Sequence, residues 1–188
     1  LGFKLEQIND ENYSLEKLIP EVVAEVKKFE DEYSQTIPVI AAGGIYTGQD
    51  IKDIMDLGAS GVQMATRFVT TDECDASDEF KQTYIDSKKE DIQIIKSPVG
   101  MPGRAIGNSF LDKVRLRYKK AIRCPFKCIR TCEISSSPYC IITALINAFK
   151  GNFKNGYAFA GTNAYLATKI ISVKETFQTI LKEYQISK

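Results

Sequence analysis

The chain has 188 residues, 44% hydrophobic and 26% charged, with a formal net charge of +1. This is the composition of a globular protein with a real core, and the near-neutral charge gives no reason to expect nucleic acid or anionic lipid as a partner. No apolar run is long enough to cross a bilayer, and LGFKLEQIND at the start lacks the features of a signal peptide.

Five cysteines, four of them clustered, do not suggest a secreted disulfide scaffold, so a reducing cytoplasm is the expected location. The chain contains no histidine. Ser–His and Cys–His catalytic pairs, histidine-ligated zinc and a histidine general base are therefore excluded within these residues.

Leu15, Leu18, Ile19, Val22, Val23, Val26 and Phe29 recur at helical spacing and predict an amphipathic helix over 15–29. Pro20 fits best as the first residue of its main part. The run Ile37-Pro38-Val39-Ile40-Ala41-Ala42, bounded by Gly43-Gly44, reads as a strand buried on both faces. A helix over about 47–57, with Gly58 as its stop, leads to a second short strand at Gly61–Met64.

Beyond residue 70 the alternation ceases. Helices are expected over 78–87, about 108–121, about 138–150 and about 173–184, with a short strand at 92–95. Ser97–Arg104 reads as a loop, because it holds two prolines and two glycines in eight residues.

The sharpest constellation is Ala41-Ala42-Gly43-Gly44-Ile45 at one strand end and Gly61-Val62-Gln63-Met64-Ala65-Thr66-Arg67-Phe68 at the next. Glycines at a strand-to-helix turn let backbone N–H groups approach an anion, and a following helix N-terminus adds partial positive charge. Late loops of (β/α)8 barrels commonly form such phosphate sites.

IPVIAAGGI followed by LGASGVQMATRF, with the later SPVGMPGRAI, resembles the end of the nitronate monooxygenase family, formerly called 2-nitropropane dioxygenases. It is equally similar to the flavin-dependent enoyl-acyl-carrier-protein reductase that shares their fold. The resemblance implies that FMN is the cofactor and that its phosphate is held by Ala42, Gly43 and Gly44 from the first turn and by Gln63, Met64, Ala65 and Thr66 from the second. The family usually has glycine where this chain has Ala65, which a positive φ there would not tolerate.

The resemblance also implies a catalytic histidine just upstream of Leu1, since Leu1-Gly2-Phe3 matches the family's residues immediately after that histidine. No catalytic residue is then expected in the chain, and the isolated chain is expected to be inactive.

The expected fold class is α/β: residues 1–72 as the last strands and helices of an FMN-binding TIM (β/α)8 barrel, and residues 73–188 as a mostly helical extension packing on it. A complete barrel of this kind needs roughly 250 residues, so the chain reads as its C-terminal part. The implied activity is oxidation of alkyl nitronates by oxygen through the flavin. The alternative is NAD(P)H-dependent reduction of an enoyl thioester.

A different class remains open: a non-redox phosphate-binding barrel, or a cysteine-cluster metal module. Cys124, Cys128, Cys132 and Cys140, spaced C-x3-C-x3-C-x7-C, could hold zinc or an iron–sulfur cluster, or could be reduced, packed cysteines. Arg104 could bind an anionic group of substrate or cofactor, or be a solvated surface residue. The basic run Lys113–Arg123 is interleaved with Leu111, Val114, Tyr118 and Ala121, which fits a solvated helix face. A small-molecule substrate is expected, with no nucleic-acid or membrane partner and with a homodimer as one possible assembly.

Overall fold

The computed structural model describes residues 4–8, 10–116, 124, 126–128, 130 and 132–186. Leu1-Gly2-Phe3, the segment matched to the family's histidine motif, and residues 117–123 of the basic run, with Tyr118 and Ala121, lie outside the described residues. The chain divides into two compact units, one formed by residues 1–68 with 171–188 and the other by residues 69–170. The C-terminal helix thus groups with the first residues of the chain and not with those just before it.

The first unit is α/β. Helix α1 (Leu15–Tyr33) runs without interruption through Pro20, which the sequence placed at the start of its main part. The proline leaves one carbonyl without its helical donor. The helix is continuous because Leu15, Ile19 and Val23 share one face that packs into the core with Ala41, Ile45, Ile54 and Ala59. That face is narrower than the apolar spacing predicts, since Val22 and Phe29 are exposed.

Strand β1 (Ile40–Ala42) is shorter than expected and is covered on one face only: Ala41 is 5% exposed, whereas Ile40 is 57% exposed. Side chains alternate across a strand, so within this unit only the Ala41 face meets the core. Helix α2 (Gly48–Asp56) ends at Leu57 and Gly58, whose φ of 101° is the left-handed stop expected of that glycine.

Strand β2 (Gly61–Gln63) then pairs parallel with β1, placing Ile40 against Gly61, Ala41 against Val62 and Ala42 against Gln63. Ser60 starts this pairing by donating its N–H to the Val39 carbonyl at 2.8 Å. A one-turn helix α3 (Thr66–Val69) comes after β2, and helix α7 (Val173–Ile186) completes the unit.

In the second unit, helix α4 (Asp78–Ile85) is followed by strands β3 (Ile92–Lys96) and β4 (Pro102–Ile106), which form an antiparallel hairpin. The expected loop over 97–104 is therefore only partly a loop. Pro102 is the first residue of β4, a strand position that tolerates proline, and Gly103 has no room for a Cβ, which would lie 2.5 Å from Phe159 Cε1.

The segment 158–160 adds to the other side of β4, through Ile106 N to Ala158 O at 3.1 Å and Ala160 N to Arg104 O at 3.0 Å. Helix α5 (Ser109–Arg115) is capped by Asn108, whose side-chain oxygen accepts from Leu111 N and whose amide donates to the Gly156 carbonyl. Its Lys113 and Arg115 are solvent-exposed. Helix α6 (Ile141–Phe149) ends before Gly151, at φ 81°. No helix among the described residues is long and apolar enough to cross a membrane.

The closest approach in the first unit is at Gly48. A Cβ there would run into the Ile180 carbonyl oxygen and the Tyr184 amide nitrogen of α7, and backbone cannot swing aside. Gly48→Ala is expected to destabilise the protein by about 2–3 kcal/mol, read as a lower denaturation midpoint in urea. An unchanged midpoint would mean that α7 does not press on α2 as described.

Candidate functional site

The parallel register determines where the two glycine-bearing turns sit. Ala42 and Gln63 are partners at the C-terminal ends of adjacent strands, which run about 4.8 Å apart. The chain therefore leaves the sheet at the same edge twice, through Gly43-Gly44 and through Met64-Ala65-Thr66.

Gly43 and Gly44 have φ of 112° and 74°, and a Cβ built at either would meet nothing within 4 Å. Glycine is thus required by backbone conformation, while the space over both residues is open to a ligand. Ala65 is not among the positive-φ residues, which outside glycine are Ser34 and Lys127 among those described. The methyl group that departs from the family pattern therefore brings no positive-φ strain.

The anticipated help from helix N-termini is smaller than the sequence suggested. Several N–H groups around the start of α2 are already engaged: Asp50 Oδ2 accepts from Tyr46 N and Thr47 N, both at 2.8 Å, Glu183 Oε2 accepts from Gly48 N at 2.8 Å, and Thr47 Oγ1 accepts from Asp50 N at 3.1 Å. The turn after β2 leads into α3, only four residues long, too short to build up a full macrodipole. A phosphate at this edge would depend on the turn amides themselves.

Three residues that sequence reading overlooked support both turns. Glu183 of α7 holds Gly48 beyond the first turn, and its other oxygen lies 3.9 Å from Arg67 Nη2 beyond the second. Arg67 also lies over the buried Tyr46 ring, 4.5 Å from its centroid. Burial pushes the Tyr46 hydroxyl above its ordinary pKa, against the lowering effect of Arg67. No local signal links Glu183 to residues 48 and 67, because the contact spans 135 positions.

The remaining candidates lie in the second unit. Arg104 sits on β4 opposite Ile94. It is half-buried, which lowers its pKa through desolvation, and makes no ion pair among the described residues.

Cys124, Cys128, Cys132 and Cys140 line one small cavity and all carry free thiols. Among the described residues, however, no three histidine, cysteine or acidic side chains form a group that could hold a metal ion, so the metal alternative finds no preformed ligand set there. Cys140 occupies the N-cap of α6. Its thiol closes no full capping hydrogen bond. Burial raises its pKa, but contacts with the Thr143 hydroxyl and the amides of Thr143 and Ile142 outweigh that and leave it below the ordinary thiol value.

The same unit has an apolar hollow of about 400 Å³ lined by Phe80, Leu145, Ile146, Phe149, Ala158 and Phe159.

The sequence profile of the nitronate monooxygenase family matches residues 2–183. Probable nitronate monooxygenases of Staphylococcus saprophyticus and Staphylococcus aureus (strain Newman) are 39% and 38% identical to the chain over 97 residues. Each of these matches covers 52% of the chain and 25% of the relative.

Among solved structures, FabK from Thermotoga maritima superposes with a TM-score of 0.69 at 26% identity, over 93% of this chain and 50% of that one. Nitroalkane oxidase from Streptomyces ansochromogenes shares the fold with a TM-score of 0.61 at 22% identity, over 90% of this chain and 44% of that one. The chain therefore spans about half the length of these structures, and its match spans a quarter of the curated relatives.

If Glu183 ties the two turns together, Glu183→Ala should lower stability by about 1–2 kcal/mol. Glu183→Gln should cost less, because an amide oxygen still accepts from Gly48 and the pair with Arg67 is partly solvated. Equal losses in a urea titration of the two variants would argue against the Gly48 hydrogen bond as the main contribution.

Proposed function

The chain belongs to the nitronate monooxygenase family, and on that footing we propose that the protein is an FMN-dependent oxidoreductase that oxidises alkyl nitronates with oxygen. In this reading β1 and β2 are the last two strands of a (β/α)8 barrel, and the edge where both end is the cofactor phosphate site. The observation that carries the reading is the strand register, which sets two glycine-bearing turns side by side with open space above Gly43 and Gly44.

The backbone amides of Ala42, Gly43 and Gly44 and of Gln63, Met64, Ala65 and Thr66 would hold the phosphate. Backbone amides suit this task because they are fixed in direction by the fold and carry no side-chain entropy to lose. Asp50, Glu183, Arg67 and Tyr46 do not touch the phosphate in this account; they keep the two turns at a constant separation. Arg104, half-buried and without an ionic partner among the described residues, is by itself proposed to bind an anionic group of substrate or cofactor, a task that guanidinium suits. When bound, the flavin supplies the redox chemistry, while the protein supplies position and excludes water.

A second reading, NAD(P)H-dependent reduction of an enoyl thioester, rests on the same turns and is favoured by the likeness to FabK. The two readings are separated by assaying the flavin-loaded, full-length protein for oxygen-dependent nitronate oxidation and for NAD(P)H-dependent enoyl reduction.

The cofactor proposal itself is tested by titrating FMN into the apoprotein. We expect saturable binding, weakened at least about tenfold in a Gly43→Val, Gly44→Val double variant, because a tenfold loss is only about 1.4 kcal/mol and each positive φ alone is strained by a similar amount. Riboflavin, which lacks the phosphate, should be affected much less. Equal loss for both ligands would contradict a phosphate role for this turn, and a colourless protein that binds sugar phosphates would favour a non-redox barrel.

A further inference from the structure

The four clustered cysteines play no part in the function proposed above, yet they share one place. Cys124, Cys128, Cys132 and Cys140 line a single cavity of ≈ 30 Å³ together with Lys127 and Ser137. We propose that this cavity is a peroxide-reactive dithiol site, in which Cys140 is the attacking thiol and one of Cys124, Cys128 and Cys132 resolves it.

The placement of Cys140 sets it apart from the other three. It is the N-cap of a nine-residue helix, where the first-turn N–H groups have no helical acceptor and favour a thiolate, the nucleophilic form of cysteine. Lys127 adds a cationic residue to the same cavity. The other thiols are engaged differently: Cys124 Sγ accepts from Lys127 N at 3.4 Å, Cys132 Sγ lies 3.7 Å from Ser137 Oγ, and Cys128 is exposed.

The size of the cavity suits a small oxidant. A space of ≈ 30 Å³ is room for about two water-sized molecules. It admits a molecule of the size of hydrogen peroxide. The four cysteines face this one cavity, although among the described residues no three of them form a group that could hold a metal ion, so the resolving step pairs Cys140 with a single neighbouring thiol.

The chemistry closes without a further reactant. The Cys140 thiolate attacks one peroxide oxygen, the O–O bond breaks, and the hydroxide released takes a proton to leave as water, giving a sulfenic acid on Cys140. A neighbouring thiol then attacks that sulfur as a thiolate and a second water leaves, forming the disulfide. One peroxide is reduced to two waters, and two thiols are oxidised.

The test uses the reduced, full-length protein treated with an equimolar amount of hydrogen peroxide, with and without dimedone, and then mapped peptide by peptide. We expect a loss of two hydrogens per chain, with Cys140 linked to Cys124, Cys128 or Cys132. In the triple variant Cys124→Ser, Cys128→Ser, Cys132→Ser, the dimedone adduct should accumulate on Cys140. Cys140→Ser should lose both products.

Oxidation that begins at Cys74 or at another cavity thiol would overturn the proposal. So would a protein that, as purified, holds a stoichiometric metal or cluster on these cysteines and leaves them unreactive. The mapping of the unsubstituted protein decides between these outcomes even if a variant fails to fold.

Discussion

The parallel pairing of β1 with β2 is the constraint on which the first unit depends. Only three residue pairs make the ladder, yet they bring two turns, about twenty residues apart in sequence, to the same edge. A slip of one residue would turn Ala41 outward and Ile40 inward, and would also offset Gly43 from Met64. The core and the proposed binding edge are therefore determined together. Asp50 and Glu183 secure this arrangement by accepting the amides just past the first turn, so the geometry at the edge does not depend on a bound ligand to satisfy the start of α2.

The second unit is organised by a different principle. Its hairpin gains a third backbone partner from residues 158–160, and around it Phe110, Tyr139, Tyr157 and Phe159 pack edge-on and stacked at centroid distances of 5.1–6.1 Å. The buried Tyr139 hydroxyl donates to the Tyr157 hydroxyl oxygen at 3.2 Å. Gly156 lies hard against α6, so the positions of Tyr157 and Ala158 are set by a close backbone approach. The cysteine cavity borders this cluster through Tyr139 and Ile141. Its placement on an aromatic-braced helix start gives Cys140 a defined setting.

Local physics made much of this readable in advance. Gly58 and Gly151 end their helices at positive φ, and the apolar periods mark α1, α2, α6 and α7. The glycine turns are legible as turns because each departs from a short apolar run. What escaped the sequence was non-local. Pro102-Gly103 looks like loop chemistry until Ile92–Lys96 pairs with it and Phe159 packs on Gly103.

Pro20 reads as a boundary until the burial of Ile19 outweighs the lost hydrogen bond. The role of Glu183 depends on α7 returning to the first unit, which no spacing encodes. A helix N-terminus after a glycine turn suggests an anion site, but Asp50 and Glu183 engage the amides around the start of α2 through contacts that glycine spacing does not encode.

The central claim is that one phosphate rests on amides from both turns. The most direct measurement is a crystal structure of the full-length protein with FMN bound. The account predicts phosphate oxygens within about 3 Å of backbone nitrogens from both the 42–44 and the 63–66 segments. A phosphate that contacts one turn alone, or lies away from this edge, would contradict it.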